Sequence, residues 1–394
     1  MSQSCPIVRV VVAVVVVTLC AVTGVAQTIV SEVPGSPFAA GSFPESLRVT
    51  PDGAYLYVAN STSDDVSGFA IATTGVLSAV PGSPFTGTGW GPIGLDTGAG
   101  WVFTVEGSAL NRVRVLDIGG GGALSEIAGS PFATGGTASQ NVAVAPSGSF
   151  VVVTNAGSDN VSVLTLAGDG SLAAIAGSPF AGGDEPQGLA ISADSQRLFV
   201  CNCLGDSVSG FTLAANGTPT AVAGSPFASG DCPLVAAIHP SGNSLYVGTL
   251  NNGLLGFSVA GSGALAQLPG SPFIPGPGGY AQDIAMSSDG GRLFVAWHGG
   301  STDELRAFAV QAGGGLIEEP FSPYTLPRQP GGIAVHPSGR FVYLTDLVDD
   351  SVTALELRYA GPVPALGGVA LGALLVLLAA AGTVALVRRG SLVG

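Results

Sequence analysis

Between residues 28 and 359 the apolar positions fall in short runs, rich in Val, Ile, Phe and Tyr and bounded by Gly, Pro, Asn or Asp. AYLYVAN (54–60), SFVVVTN (149–155), QRLFVCN (196–202) and RFVYLTD (340–346) are four such runs at equivalent places. β-branched and aromatic residues suit a pleated, half-buried surface, and runs this short between turn residues predict strands. A proline and an alternating run precede each, as in FPESLRVTPDG, EPQGLAISADS, CPLVAAIHPSG and QPGGIAVHPSG. Behind each lie a polar loop such as STSDD or AGSDN and a third run, VSGFAI, VSVLTL, VSGFTL or VTALEL. Gly-x-Leu then opens a fourth, so the unit is a small four-stranded antiparallel sheet.

The unit repeats. Gly-Ser-Pro-Phe begins at Gly35, Gly82, Gly129, Gly177, Gly224 and Gly270, with steps of 46–48 residues, and a worn seventh copy is read at Pro320-Phe321. A fixed period of this length marks a repeat architecture, and four strands per repeat point to a β-propeller. A solenoid is the alternative, but its repeats rarely carry four strands. Modules begin at Phe38, Phe85, Phe132, Phe180, Phe227, Phe273 and Phe321, which gives seven blades. The last module stops near Tyr359 without its fourth strand, while Thr28–Val33 is a fourth strand with no blade before it. The N-terminal strand is therefore expected to complete blade seven and close the ring, removing exposed edges. Gly-Ser-Pro-Phe is expected to end each outer strand: Gly allows a positive φ, Pro stops ladder pairing and Phe buries between sheets.

The ends differ in composition. Arg9, the apolar run 10–22 and small residues before Gln27 have the form of a secretory signal peptide over 1–26. At the other end, 366–387 is uncharged and long enough for a transmembrane helix, with Arg388 and Arg389 following it. The expected organisation is signal peptide 1–26, propeller 27–361 and a C-terminal sorting or transmembrane segment 362–394. All 12 basic residues are Arg, against 26 acids, and the formal net charge is −14. Such a chain repels phosphate backbones, which argues against a nucleic-acid partner. An exported monomer in the periplasm or at the cell surface, held or sorted through the C-terminal helix, is the expectation.

Two resemblances add to this. Val363-Pro364-Ala365-Leu366, the apolar segment and the Arg pair resemble the IPTL-type sorting signals, which implies a Gram-negative envelope protein whose tail is either cut by a sorting protease or kept as an anchor. YVAN at 57–60, with Pro-Asp-Gly at 51–53, resembles the YVTN repeat, and residues 28–359 resemble the lactonase-like seven-bladed propellers, including 6-phosphogluconolactonase-type enzymes. In those enzymes, histidine and arginine with an acidic partner line the central cavity, often just after the blade-opening proline. The positions read as equivalent here are Glu45, Gly91, Gln140, Gln187, Leu234, Gln282 and Gly331, none of them His or Arg.

Candidate chemistry follows from departures from the repeat. His239 and His336 share a turn position read as aligned with Thr50, Asp96, Ala145, Ser192 and Ser287, and are expected to be turn or surface residues. His298, in a loop beside Trp297, is the general-base candidate by elimination. Glu106, Trp297 and His298 replace the Asn or Asp that ends other second strands, where the amide or carboxylate is expected to close an Asx turn. With Glu45, Gln140, Gln187 and Gln282 they form the candidate ligand-binding set, on the face where inner strands begin. Cys203 and Cys232 fall on that face in neighbouring blades and are expected to pair in an oxidising compartment. Cys201 is the competing partner, and a metal held by all three would need a fourth ligand that is not evident. No metal or cofactor is expected. Asp64-Asp65 and Asp349-Asp350 could hold Ca²⁺ but lack an EF-type loop, and read better as solvated turn acids. Two functions remain: a binding or interaction module for a small molecule or an envelope protein, and a lactonase-type hydrolase of a sugar or acyl lactone.

Overall fold

Seven antiparallel sheets follow one another along the chain in the computed structural model, which describes residues 28–87, 91–106, 110–274, 278–299, 302–327 and 329–359. Their inner strands are Pro44–Val49, Pro92–Gly98, Ser139–Val144, Pro186–Ile191, Pro233–Ile238, Gly279–Met286 and Pro330–Val335, and they define blades 1 to 7. Each inner strand lies against the next, and that of blade 7 lies against that of blade 1, so the ring closes. Thr28–Glu32 pairs with Ser351–Tyr359 as the outer strand of blade 7, as expected. The expected signal peptide and the C-terminal segment lie outside the described residues. Among the described residues no helix is long and apolar enough to cross a membrane.

The core is divided among the joints. The second strands are the most deeply buried, with Tyr57, Phe103, Phe150, Phe199, Tyr246, Phe294 and Tyr343 fully enclosed. Among the described residues each of the seven joints holds its own apolar cluster, contributed by the two adjoining blades. The YVAN tyrosine has a specific task there. Tyr57 donates its hydroxyl across the joint to Gly122 O of blade 2 (2.8 Å), Tyr246 to Gly314 O of blade 6 (2.8 Å) and Tyr343 to Gly75 O of blade 1 (3.2 Å). Burial pushes these phenols upward, that of Tyr246 to about 12, so they remain donors at neutral pH. A buried hydroxyl needs such a partner.

Gly-Ser-Pro-Phe interrupts the outer strand and does not end it. In blade 1 the third strand Asp65–Ile71 pairs with Leu77–Ala79 at one end and with Phe85–Thr86 at the other. The tetrapeptide bridges the gap between them. Its glycines have φ of 85–91°, left-handed values that suit a residue without Cβ, and each Ser–Pro bond is cis. Its serine fills the missing ladder position. Ser83 Oγ accepts from Gly68 N, Ser225 Oγ from Gly210 N and Ser178 Oγ from Val163 N, each at 2.9 Å. Ser36, Ser130, Ser271 and Ser322 accept from Ala354, Val115, Gly256 and Ala307 at 3.0–3.1 Å. The seventh copy is therefore Ser322-Pro323-Tyr324, beyond the Pro320-Phe321 that the spacing suggested, and Tyr324 pairs back onto Leu305 as the phenylalanines do elsewhere.

The acidic loops also join blades. Asp64, Asp159, Asp206 and Asp350 sit at φ of 47–56° and accept through Oδ1 the backbone N–H of Gly91, Glu185, Cys232 and Phe43 in the next blade, at 2.8–3.0 Å. These acids are thus held by backbone donors, not free in solvent as turn acids.

Replacing one motif serine tests its role. Ser225→Ala leaves the Gly210 N–H without its acceptor and is expected to cost about 1–3 kcal/mol in urea unfolding. Thr220→Ala, at an exposed position of the outer strand in the same blade, serves as the comparison and is expected to change stability little.

Candidate functional site

Every inner strand carries a bulge near its start. Pro44 faces Asn60 and Ser46 faces Ala59, so Glu45 has no partner of its own. The same shift places Ile93, Gln140, Leu234 and Gln282 on bulges, and in blades 4 and 7 it spans Gln187-Gly188 and Gly331-Gly332. A bulge re-aims the extra side chain. Here it turns Glu45, Gln140, Gln187 and Gln282 toward the axis, where they line one cavity of about 210 Å³ with Arg48, Asn141 and Asp283. Four candidates from four blades therefore meet.

Deeper in the channel the register sets a second layer. Arg48 and Asp96 lie opposite Tyr57 and Phe103, a position held by Ala143, Ala190, Ala237, Ala285 and Ala334 in the other blades. Arg48 Nη1 stands 3.5 Å from Asp283 Oδ2 and Nε stands 3.8 Å from Asp96 Oδ1. Each carboxylate also stitches two blades. Asp96 accepts from Thr97 N and Val144 N (both 2.9 Å), and Asp283 from Ile284 N (2.8 Å) and Ile333 N (3.0 Å). Loss of water raises the pKa of both, against the lowering pull of Arg48 and these donors. Glu45 is likewise raised by desolvation, partly countered by a bond from Ser61.

The other candidates lie elsewhere. Glu106, Trp297 and His298 do not line the cavity, because the second strand is one position removed from the axis. Glu106 is fully buried within blade 2 and accepts from Arg112 Nε and Arg114 Nε (both 3.0 Å), with Arg114 also bonded to Glu126. Trp297 is buried under the Arg306 guanidinium, 5.8 Å from its ring centre. His298 belongs to an extension of blade 6. Its Nδ1 is 2.6 Å from Asp303 Oδ1, and its ring meets Tyr280 edge-on at 5.3 Å. His239 and His336 are turn residues, each with Nδ1 against the serine two positions on. Asn60, Asn155 and Asn202 reach across to third-strand side chains, and Asp346 closes an Asx turn through Val348 N and Asp349 N.

Cys203 and Cys232 are joined by a disulfide, and Cys201 is a buried thiol whose pKa is pushed up by desolvation. Among the described residues no three His, Cys, Asp or Glu side chains form a group able to hold a metal.

Arg48, Asp96 and Asp283 escaped the reading of the sequence. The turn of blade 2, Ala99-Gly100, is two residues shorter than the four-residue turns of the other blades, and the alignment slipped by two residues. Ile93, not Gly91, is the bulge residue, and Gly98, not Asp96, holds the turn position. For Arg48 and Asp96 the legible signal was charge where the other inner strands carry alanine.

Arg48→Met should expose the electrostatics of this layer. A carboxyl whose folded pKa is raised holds its proton more tightly in the native state. Its contribution to stability is full at low pH and is lost as pH rises through the raised value. Without Arg48 that loss should extend to higher pH and deepen, by about 2 kcal/mol at pH 7 for partly exposed partners. Urea unfolding between about pH 4 and 8 reads it.

Known proteins place this geometry. The chain is similar in structure to a putative 6-phosphogluconolactonase from Bacteroides uniformis (19% identity, TM-score 0.62, covering 77% of this chain and 93% of that one). It is also similar to a periplasmic gluconolactonase from Pseudomonas aeruginosa (20%, 0.61, 83% and 99%) and to a hydrazine synthase from Kuenenia stuttgartiensis (16%, 0.57, 80% and 95%). At these identities the likeness is one of fold, shared by proteins of different activity. No curated protein matches the chain. Residues 109–222 and 203–363, more than half of the sequence, match the family described as lactonase, 7-bladed beta-propeller, and the chain belongs to that family.

Proposed function

We propose that the protein is a hydrolase of small polyhydroxylated lactones, acting in the central cavity with Glu45 as general base. The observation that carries this reading is the convergence of Glu45, Gln140, Gln187 and Gln282 on one axial cavity. Amide side chains offer both donors and acceptors, which suits the hydroxyls of an uncharged sugar ring. Glu45 has a raised pKa, which makes it a stronger base than an ordinary carboxylate. It takes a proton from water as the oxygen adds to the lactone carbonyl. A guanidinium N–H of Arg48 or an amide N–H of a neighbouring glutamine stabilises the carbonyl oxygen as it gains charge. The lactone C–O bond then breaks, the proton passes to the leaving oxygen, and a hydroxy acid departs. Family membership supports the reaction class.

A second reading, a module that binds such a ligand without hydrolysing it, is favoured by the engagement of Arg48 with Asp96 and Asp283 and by the lack of histidine among the described residues of the lining. Under either reading the protein is exported and tethered to the envelope by its C-terminal segment. The Cys203–Cys232 bond suits that location.

Proton release from a panel of sugar and acyl lactones tests this. The wild-type protein should turn over a sugar lactone, and Glu45→Gln should lower kcat by about 10²–10⁴-fold. His298→Ala should leave kcat unchanged. Because the base must be ionised, the rate should rise with pH through a pKa above the usual glutamate value. No turnover with saturable binding would select the second reading, and loss of activity in His298→Ala alone would move the chemistry to blade 6.

A further inference from the structure

The axial cavity is electrostatically one-sided. The chain has no lysine, and Arg48 is the sole cation among the described residues of the lining. Its guanidinium is already engaged. Nη1 donates to Leu47 O (2.8 Å) and stands 3.5 Å from Asp283 Oδ2, while Nε stands 3.8 Å from Asp96 Oδ1. Two carboxylates thus offset one guanidinium. Glu45 adds a third carboxyl group at the mouth. Glu185 adds a fourth beside it, where its Oε1 accepts from Gln187 Nε2 (2.9 Å). With four acids against one arginine, the site keeps a negative surplus even when two of the acids are protonated.

We propose, resting on the reading of this cavity as the site of lactone hydrolysis, that it is a charge filter. It admits uncharged polyhydroxylated lactones, refuses phosphorylated or carboxylated sugars and expels its own product, and Glu45, Asp96 and Asp283 set that selectivity. An arginine beside a cavity would otherwise grip a phosphate or carboxylate with its planar fork of donors. Here an anion would have to break the contacts of Arg48 and then face the carboxylates it had displaced. One like charge within about 8 Å of another, at an effective dielectric between that of a protein surface and water, shifts a binding equilibrium roughly tenfold. Discrimination of this kind works by repulsion of the wrong ligand. An uncharged ring meets no such penalty, because the amides of Gln140, Asn141, Gln187 and Gln282 donate and accept without charge. The filter also gives the reaction a direction. Water adds to a neutral lactone, and the hydroxy acid formed gives up its proton to water at neutral pH. The carboxylate left in the cavity is repelled by groups to which the lactone was indifferent, so product inhibition is weak.

Calorimetric titration of the full-length protein with gluconolactam, gluconate and 6-phosphogluconate at low ionic strength tests the proposal. The lactam keeps the uncharged ring and is not hydrolysed. It should bind at least ~10-fold more tightly than either anion. Glu45→Gln and Asp96→Asn should each narrow that ratio by about 10-fold. Asp169→Asn, which removes the same charge from an exposed turn of blade 3, should leave it unchanged. Asp96 also accepts backbone N–H groups from two blades, so Asp96→Asn can unfold the ring. Glu45 sits on a bulge outside the ladder, and Glu45→Gln keeps the test decisive. Anion binding as tight as that of the lactam would overturn the filter while leaving hydrolysis, measured separately, untouched. A ratio that stays the same in Glu45→Gln would also overturn it, as would no binding of any of the three. A preference for the lactam without turnover of any lactone would support the filter and select the binding module instead of the hydrolase.

Discussion

Each inner strand of the ring carries at least one residue more than the segment it pairs with. That mismatch sets what the axis displays. In a regular ladder, successive residues point alternately to the two neighbouring blades, as Ile333 and Ala334 do. The bulge near the start of the strand re-aims a side chain to the mouth of the channel in most blades. Glu45 and three glutamines occupy four of those places. The layer below is nearly all alanine, and the two exceptions, Arg48 and Asp96, find each other and Asp283. A cavity of defined polarity follows from backbone register together with a few side-chain choices.

The ring that holds this register is built from repeated small devices. Apolar clusters at every joint supply the bulk of the cohesion, as expected when each sheet alone buries too little surface. Directional contacts then fix how blades meet: tyrosine hydroxyls to turn carbonyls, left-handed aspartates to backbone N–H groups, and motif serines in place of a missing strand carbonyl. Acidic loops on the mouth face are used in this way at four joints. Their charge is thus a by-product of joining blades as much as a property of the surface.

The fold was legible because it is repeated. Seven copies of one pattern give seven chances to find a strand, and the orphan strand at Thr28 told how the ring closes. The axial residues Glu45, Gln140, Gln187 and Gln282 were legible for the same reason, since each follows a recognisable blade opening. Blade 2 was the weak point: its turn is two residues shorter than the others, so Asp96 was read as a turn residue and Ile93 was missed. The seventh Ser-Pro pair was likewise displaced. Glu106 and His298 stood out as departures from the repeat, but a departure in sequence does not show whether a side chain meets the axis or an arginine inside its own blade.

The axial cavity as the site of lactone recognition is the claim on which the functional reading stands. A crystal structure of the Glu45→Gln protein soaked with a sugar lactone tests it most directly. The ligand should lie among Gln140, Gln187 and Gln282 with its carbonyl toward Arg48. An empty channel at saturating lactone, or the same ligand ordered beside His298 on blade 6, would contradict it.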